Sequence, residues 1–180
     1  MLLSDRDIID ETKAGRIGVD PFNPDRVQPA SLDVLLDSTL RVFPRGATVD
    51  PFQPLPSDLS REVPTDGYVV SPGEFLLGST VETLSLPDDI AARLEGRSTL
   101  GRLGLTVHVT AGYIDPGFRG QITLEIANLG PWGLRLRAGQ PIGQLVFERM
   151  SSPVERPYGS PGLGSRYQGQ SGPTLARPLR

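Results

Sequence analysis

The chain has 180 residues, a formal net charge of −3 at pH 7 and no cysteine. This length suits one domain around one hydrophobic core, and the lack of cysteine excludes disulfides, cysteine-ligated zinc and thiol nucleophiles. No apolar run is long enough to span a bilayer, and the N-terminus turns acidic at Asp5, unlike a signal peptide. We therefore predict a cytoplasmic protein that does not enter a membrane.

Charge is distributed unevenly along the chain. Residues 151–180 hold four arginines against one glutamate, a balance of +3, so residues 1–150 carry −6. An acidic body argues against a nucleic-acid partner, because binding to a phosphate backbone requires a basic surface. The basic tail suits either contact with solvent or the binding of one small anion.

The first predicted element is a short helix near the N-terminus. Ser4 is a favourable N-cap, and Asp7 follows three residues later as in a capping box. Ile8 and Ile9 supply an apolar face, and Gly15 is a typical residue just beyond a helix end.

Short alternating or β-branched runs follow this helix, separated by many of the chain's 21 glycines and 18 prolines. Such spacing is typical of an all-β barrel or sandwich. The predicted strands are residues 31–36, 67–70, 75–80, 105–110, 120–128, 133–136 and 142–147. Residues 50–64 are rich in proline, serine and acidic residues, and we predict a loop there. The barrel domain is predicted to cover residues 1–156, and the proline- and glycine-rich residues 157–180 to form a flexible tail.

The most informative predicted strand covers residues 121–128. A strand period of two places Ile122 and Leu124 on one face and Glu125 on the other. If the Glu125 face lines a closed pocket, desolvation would raise the carboxyl pKa and suit this group to acid/base catalysis. If that face meets water, Glu125 is an ordinary surface residue, and the pattern alone leaves both interpretations open.

Three further segments carry residues suited to a nucleotide. Residues 95–102 combine glycines, two arginines and two hydroxyls, as in a phosphate cradle or an ordinary turn. In residues 112–118, Tyr113 and Asp115 suit a base and a sugar hydroxyl, or else belong to a packed hairpin. The glycine-rich residues 162–170 form either a lid over phosphates or a disordered segment.

His108 is the only histidine of the chain. A lone histidine without cysteine cannot build a zinc site of the usual kind. We interpret His108 as a structural residue that forms hydrogen bonds beside a pocket or a subunit contact.

Five segments, in this order, resemble the dCTP deaminase branch of the dUTPase-like superfamily. They are residues 29–33, 96–102, 110–118, 139–145 and 165–170. Because they extend over nearly the whole chain in the order of the family, the resemblance is specific. It implies a distorted jelly-roll β-barrel with a short N-terminal helix, assembled as a homotrimer with active sites between subunits.

The resemblance also implies roles for individual residues. Glu125 is the acid/base residue that activates water for attack on C4 of the cytosine, and Ser98 and Arg102 hold this water and the tetrahedral centre. The carbonyl of Ala111 lies nearby. The implied nucleotide-binding residues are Arg97, Ser98, Thr99, Tyr113, Asp115, Gln144, Tyr158, Arg166 and Gln170. Among these, the first three bind phosphates, Asp115 and Tyr113 contact the deoxyribose, and Arg166 and Gln170 of the tail close on the triphosphate.

Magnesium is implied as a companion of the triphosphate, with Asp33 as a candidate contact through water. Zinc is not expected, because zinc deaminases combine histidine and cysteine ligands with a separate glutamate, and only the glutamate is present here. The implied ligands are dCTP and dUTP, and dTTP is a candidate feedback inhibitor because thymidine nucleotides resemble the product.

Two departures from the family pattern refine the predicted activity. Single-function deaminases of the family read Thr-Ala-His-Arg where this chain has Thr-Ala-Gly-Tyr at residues 110–113. Thr-Ala-Gly followed by an aromatic resembles the bifunctional branch, which converts dCTP into dUMP and diphosphate. Arg166 stands where many relatives have lysine, so the charge is kept while a fork replaces a point charge.

Four functions follow from the sequence. The first is a dUMP-forming dCTP deaminase, and the second is a deaminase that stops at dUTP. A dUTPase is the third, and a non-catalytic nucleotide-binding trimer is the fourth.

Overall fold

The computed structural model describes residues 1–179, so Arg180, part of the predicted tail, lies outside the described residues. Within this range the chain is mainly β. The helices are α1 (Asp5–Lys13), α2 (Ser98–Arg102) and a 3-10 turn at Pro24–Arg26. The strands are β1 (Gly18–Asp20), β2 (Val27–Gln28), β3 (Ser31–Leu35), β4 (Thr39–Val42), β5 (Arg61–Pro64), β6 (Val69–Val70), β7 (Phe75–Ser85), β8 (Ile90–Gly96), β9 (Leu105–Thr106), β10 (Tyr113–Ile114), β11 (Arg119–Asn128), β12 (Leu134–Arg135) and β13 (Pro141–Arg149).

Two antiparallel sheets enclose the core. One runs in the order β5-β4-β7-β11-β9, with β1 also paired to β7, and the other runs β10-β8-β13-β3-β2. A small third sheet joins β6 and β12. Apolar side chains from both main sheets are almost fully buried, and they include Leu32, Val34, Leu76, Leu124, Ile126, Leu145 and Phe147. The predicted all-β class is confirmed.

Helix α1 forms as predicted. The Ser4 side chain accepts a hydrogen bond from the Asp7 amide at 3.3 Å, and the Asp7 carboxylate accepts one from the Ser4 amide at 3.1 Å. This reciprocal cap satisfies two amides that the first helical turn leaves free. Ile8 is fully buried, and Gly15 follows the helix with a φ of 70°.

Several predicted boundaries are wrong, and the reason in each case is non-local. Residues 61–64 lie in the predicted loop but pair with β4 as strand β5. The strand predicted at residues 105–110 ends at Thr106, and the predicted turn at residues 95–102 contains helix α2. Strand β8 was not predicted, because its alanines and charged residues are weak strand formers; pairing with β13 over seven residues overrides that preference.

The tail lies against the barrel. The Tyr158 amide donates to the Pro116 carbonyl at 2.8 Å, and the Gly169 amide donates to the Arg119 carbonyl at 2.8 Å. Pro173 is buried. The described tail therefore has a defined docked position, while its mobility and the domain boundary at residue 156 stay predictions.

Neither helix within residues 1–179 has the length and apolar character required to cross a membrane.

Tyr68 provides a pH-dependent test of this fold. Its hydroxyl donates to the Glu74 carboxylate, and burial together with this bond raises the Tyr68 pKa to about 12. Because this pKa lies above the usual 10.0, the protonated hydroxyl stabilises the fold below pH 10, and the contribution is lost as pH rises through 12. An absorbance titration of the four tyrosines should show one late ionisation that Tyr68→Phe removes and Tyr113→Phe leaves. A late ionisation that persists in Tyr68→Phe would contradict this assignment.

Candidate active site

Strand β11 presents two chemically different faces. Ile122, Leu124 and Ile126 point into the core, as their burial shows. Thr123 and Glu125, which alternate with them, are only partly buried and line a cavity on the other side of the sheet. The structure thus decides between the two interpretations of Glu125, because its side chain faces a cavity rather than open solvent.

The Glu125 carboxylate is held by the segment that follows β9. After two residues paired with β11, the chain leaves the sheet and runs beside it. There the Val107 carbonyl accepts a hydrogen bond from the Glu125 amide at 3.0 Å, and the Val109 amide donates to the Glu125 carboxylate at 2.8 Å. One carboxylate oxygen is thereby oriented, and the other is not bonded within the described residues.

The cavity has a volume of about 530 Å³. Its polar wall brings together six of the predicted site residues, namely Ala111, Tyr113, Asp115, Glu125, Tyr158 and Gln170. Its apolar wall comes from the loop after β4, from β7 and from the tail, with Phe43, Val49, Leu55, Phe75 and Leu175 among its members. A carboxylate beside apolar walls and a few polar groups is the usual make-up of a small-molecule site.

A second cavity of about 450 Å³ adjoins the first and shares Asp115, Tyr158 and Tyr167 with it. Arg156 and Arg166 both line this second cavity. Two guanidinium groups at one cavity favour an anionic ligand. Arg166 was predicted to bind phosphate, whereas Arg156 was assigned no role, since an arginine beside prolines carries no sequence signal of its own.

The remaining predicted phosphate-binding residues cluster around α2. Arg97 precedes this helix and pairs with the mostly buried Asp33 on β3. On β13, which lies between β3 and β8, the Gln144 carboxamide accepts from the Ser31 hydroxyl at 2.9 Å and donates to the Gly96 carbonyl at 3.3 Å. We refer to Arg97, Ser98, Thr99, Arg102 and Gln144 as the α2 cluster.

One chain does not bring the α2 cluster and Glu125 together. Within residues 1–179, no member of the α2 cluster lines either cavity. Ser98, Thr99 and Arg102 are instead exposed on the helix surface.

His108 lies next to the Glu125 segment. Its ring packs so close to Gly112 that a Cβ there would lie 3.2 Å from the His108 ring and 2.9 Å from the Leu94 carbonyl. This crowding explains the glycine at position 112. The predicted hydrogen bonding of His108 is wrong for Nδ1, which is buried without a partner among the described residues.

No group of three or more metal-ligating side chains occurs within residues 1–179. The Asp33 carboxylate, predicted to reach magnesium through water, already pairs with the Arg97 guanidinium and accepts from Gln28 at 3.4 Å. Asp33 is therefore a poor fit for a metal held by the protein alone.

The sequence matches known proteins over almost its full length. The dCTP deaminase-like family model matches residues 2–150. A protein of Beutenbergia cavernae named "dCTP deaminase, dUMP-forming" is 56% identical, over 98% of this chain and 94% of the relative. A protein of Rhodococcus opacus with the same name is also 56% identical, over 98% of this chain and 96% of the relative.

Solved structures show the same fold. The 2'-deoxycytidine 5'-triphosphate deaminase of Agrobacterium tumefaciens is similar with a TM-score of 0.66 and 25% identity. The match covers 82% of this chain but only 47% of that longer chain. A dUTPase from phage phi11 of S. aureus matches with a TM-score of 0.51 and 15% identity, over 78% of this chain and 94% of the phage protein.

Proposed function

The chain belongs to the dCTP deaminase-like family, and we propose that it converts dCTP and two waters into dUMP, diphosphate and ammonia. The observation that carries this proposal is the Glu125 carboxylate, which the Val109 amide orients at 2.8 Å in a cavity also lined by Tyr113 and Asp115. The names of relatives that share more than half of its residues support the same reaction.

In the deamination, Glu125 removes a proton from water while the water oxygen forms a bond to C4 of the cytosine. The resulting tetrahedral centre breaks its bond to the amino nitrogen after Glu125 returns the proton to that nitrogen, and ammonia leaves. A carboxylate with one oxygen fixed by Val109 and the other free suits this double transfer, because general acid/base catalysis needs a positioned group within hydrogen-bond reach. Ser98 and Arg102 supply donors to the developing charge.

In the second step, a water oxygen bonds to the α-phosphorus, and the bond from that phosphorus to the bridging oxygen breaks. Diphosphate leaves, and dUMP remains. Arginines at the α2 cluster and at the second cavity are placed to offset the phosphate charges. The Gly112-Tyr113 pair and the dUMP-forming relatives favour this step over a deaminase that stops at dUTP.

The active site is proposed to form between copies of the chain in a homotrimer. The separation of Glu125 from the α2 cluster supports this assembly. In a cyclic trimer, one copy contributes the Glu125 cavity and its neighbour contributes Ser98 and Arg102, so each site needs two copies.

Mixed trimers test the shared site. Glu125→Gln and Ser98→Ala are each expected to be nearly inactive, whereas trimers reassembled from an equal mixture should regain about a quarter of wild-type activity. That recovery arises because a quarter of the sites combine an intact Glu125 with an intact Ser98. Each variant reassembled by itself is the control. Lack of recovery in verified mixed trimers would place both residues in a site within one chain.

A product assay separates the candidate functions. Incubation of the protein with dCTP and magnesium should release ammonia, dUMP and diphosphate in equal amounts. Accumulation of dUTP without diphosphate would indicate the single-function deaminase. Hydrolysis of added dUTP without ammonia release from dCTP would indicate a dUTPase, and binding without any turnover would indicate a regulatory trimer.

We further propose that magnesium arrives on the triphosphate as part of the substrate, and that the protein acts in the cytoplasm, where free deoxynucleotides are available. Zinc has no role in the proposed steps. dTTP is proposed to compete for the same site, because it shares the deoxyribose and triphosphate. Its inhibition should therefore weaken as the dCTP concentration rises.

A further inference from the structure

The Gln121 carboxamide connects the tail to the barrel. Its Oε1 accepts hydrogen bonds from the Gly172 amide at 2.7 Å and from the Ser171 hydroxyl at 3.0 Å. Its Nε2 donates to the Thr80 carbonyl at 2.8 Å and to the Asp37 carboxylate at 3.1 Å. One oxygen therefore binds the tail, and one nitrogen binds the barrel.

The orientation of this carboxamide is determined by its partners. The Gly172 amide can only donate, and the Thr80 carbonyl can only accept. Rotation of the carboxamide by 180° would place donor against donor and acceptor against acceptor. Gln121 is thus suited to hold a backbone amide of the tail, and a purely apolar or purely accepting side chain is not.

The sheet is irregular in a way that makes room for this contact. Pairing of β11 with β7 shifts between Gln121, which opposes Thr83, and Thr123, which opposes Ser79. The Thr80 hydroxyl accepts from the Ile122 amide at 3.0 Å, which leaves the Thr80 carbonyl free for Gln121. Such bulges commonly redirect side chains next to functional sites.

The backbone beside Gln121 also receives the tail. Gly120 has a φ of 142°, and a Cβ there would lie 2.8 Å from the Gln170 carbonyl oxygen. The Gln121 amide donates to the Gln170 carbonyl at 3.0 Å, and the Gln170 side chain donates to the Gln121 carbonyl at 2.8 Å. Glycine at position 120 allows this close approach, since any larger residue would meet the tail backbone.

We propose that Gln121 is a positioning residue that holds the tail closed over the nucleotide and sets the place of Gln170 in the cavity. Gln121, Thr123 and Glu125 follow one another on the same face of β11, because strand side chains alternate. The Thr174 amide also reaches Thr123 at 3.3 Å. The face that carries the general base therefore also carries the docking surface of the tail, and closure delivers the tail to the reacting groups.

The consequence for turnover rests on the proposed function, whereas the docking itself does not. Gln121→Met keeps the length of the side chain and removes all four hydrogen bonds of the carboxamide. Hydrogen exchange of residues 169–174 in the nucleotide-free protein should accelerate by roughly tenfold, as expected for the loss of these bonds. The KM for dCTP should rise by roughly tenfold with kcat within about twofold of wild type, because Gln121 touches no reacting atom.

Two variants act as controls. Gln140→Met removes a carboxamide that accepts from the Arg137 amide at 3.0 Å in the turn before β13, and it should leave both the tail exchange and the KM unchanged. Ser171→Ala should weaken tail protection in the wild-type background and add nothing to Gln121→Met, since its hydroxyl donates to Gln121.

Wild-type tail exchange in Gln121→Met would overturn the proposal, whatever the activity. Additive effects of Gln121→Met and Ser171→Ala would also overturn it. A wild-type protein that releases no ammonia from dCTP would refute the proposed function instead, and the exchange result would still stand.

Discussion

Replacement of Glu125 by glutamine is expected to lower kcat for ammonia release by about a thousandfold or more, the upper range for loss of a general acid/base group. The variant keeps an oxygen that can accept from the Val109 amide, which lies 2.8 Å from the carboxylate. It loses the ability to take a proton from water and to return it to the leaving nitrogen. The fold and nucleotide binding should therefore persist, because the shape and the structural hydrogen bond of the side chain are unchanged.

Three measurements check this expectation. Ammonia release gives kcat, calorimetry gives the dissociation constant for dCTP, and thermal unfolding gives the stability. Glu148→Gln is the matched control, because it removes an exposed pairing with Arg93 on a strand outside both cavities. That control should turn over dCTP at the wild-type rate. Near-normal turnover in Glu125→Gln would remove Glu125 from the mechanism.

Gly104→Ala is expected to destabilise the protein by about 3 kcal/mol or more, the range for backbone strain combined with overpacking. Gly104 has a φ of 91°, and a Cβ there would lie 2.3 Å from the Gly130 nitrogen. The chain packs equally closely in reverse, because a Cβ on Gly130 would lie 2.4 Å from the Leu103 carbonyl oxygen. Neither backbone can move away cheaply, since the Leu129 amide donates to the Gly104 carbonyl at 2.7 Å.

Gly101→Ala is the matched control for this prediction. Gly101 lies in α2 three residues earlier, and a Cβ there would meet nothing within 4 Å. Alanine favours a helix over glycine, so this variant should match the wild type or gain about 0.5–1 kcal/mol. The melting temperature of Gly104→Ala should fall by roughly 6–12 °C for a chain of this length. Equal melting temperatures for the two variants would contradict the close approach of the two glycines.

The Gly104 contact also concerns the active site. Gly104 joins α2 to β9, and β9 pairs with the end of β11. The close packing therefore sets the distance between the helix that carries Ser98 and the strand that carries Glu125. A small displacement of α2 in a partly folded Gly104→Ala protein should lower turnover, because catalytic groups tolerate little misplacement.

Local patterns in the sequence predicted some parts of the fold well. The alternation of residues 121–128 gave the correct faces of β11, since side-chain direction in a strand depends only on the period of two. The cap of α1 was likewise predicted from Ser4 and Asp7, which interact within one turn. Strand β8 was missed, because its structure comes from pairing with β13, whose residues lie about fifty positions away.

The candidate site shows the same division. Motif order predicted which residue types are present, and six of the predicted residues do line one cavity. The sequence carried no signal for Val109, which acts through its backbone amide, or for Gln121, whose carboxamide acquires meaning only beside the tail. Arg156 was missed for a similar reason, since its relation to Arg166 arises from the folding of the tail.

The sequence by itself determined the chemical groups available, the absence of cysteine, the capped first helix and the alternating strand on which Glu125 stands. These properties depend on composition or on neighbours a few residues apart. Only the tertiary structure decided that Glu125 faces a cavity, that the tail docks on the same strand face, and that the α2 cluster lies apart from both cavities. These outcomes depend on contacts between distant segments, whose free energies come from packing and hydrogen bonding that no local pattern encodes.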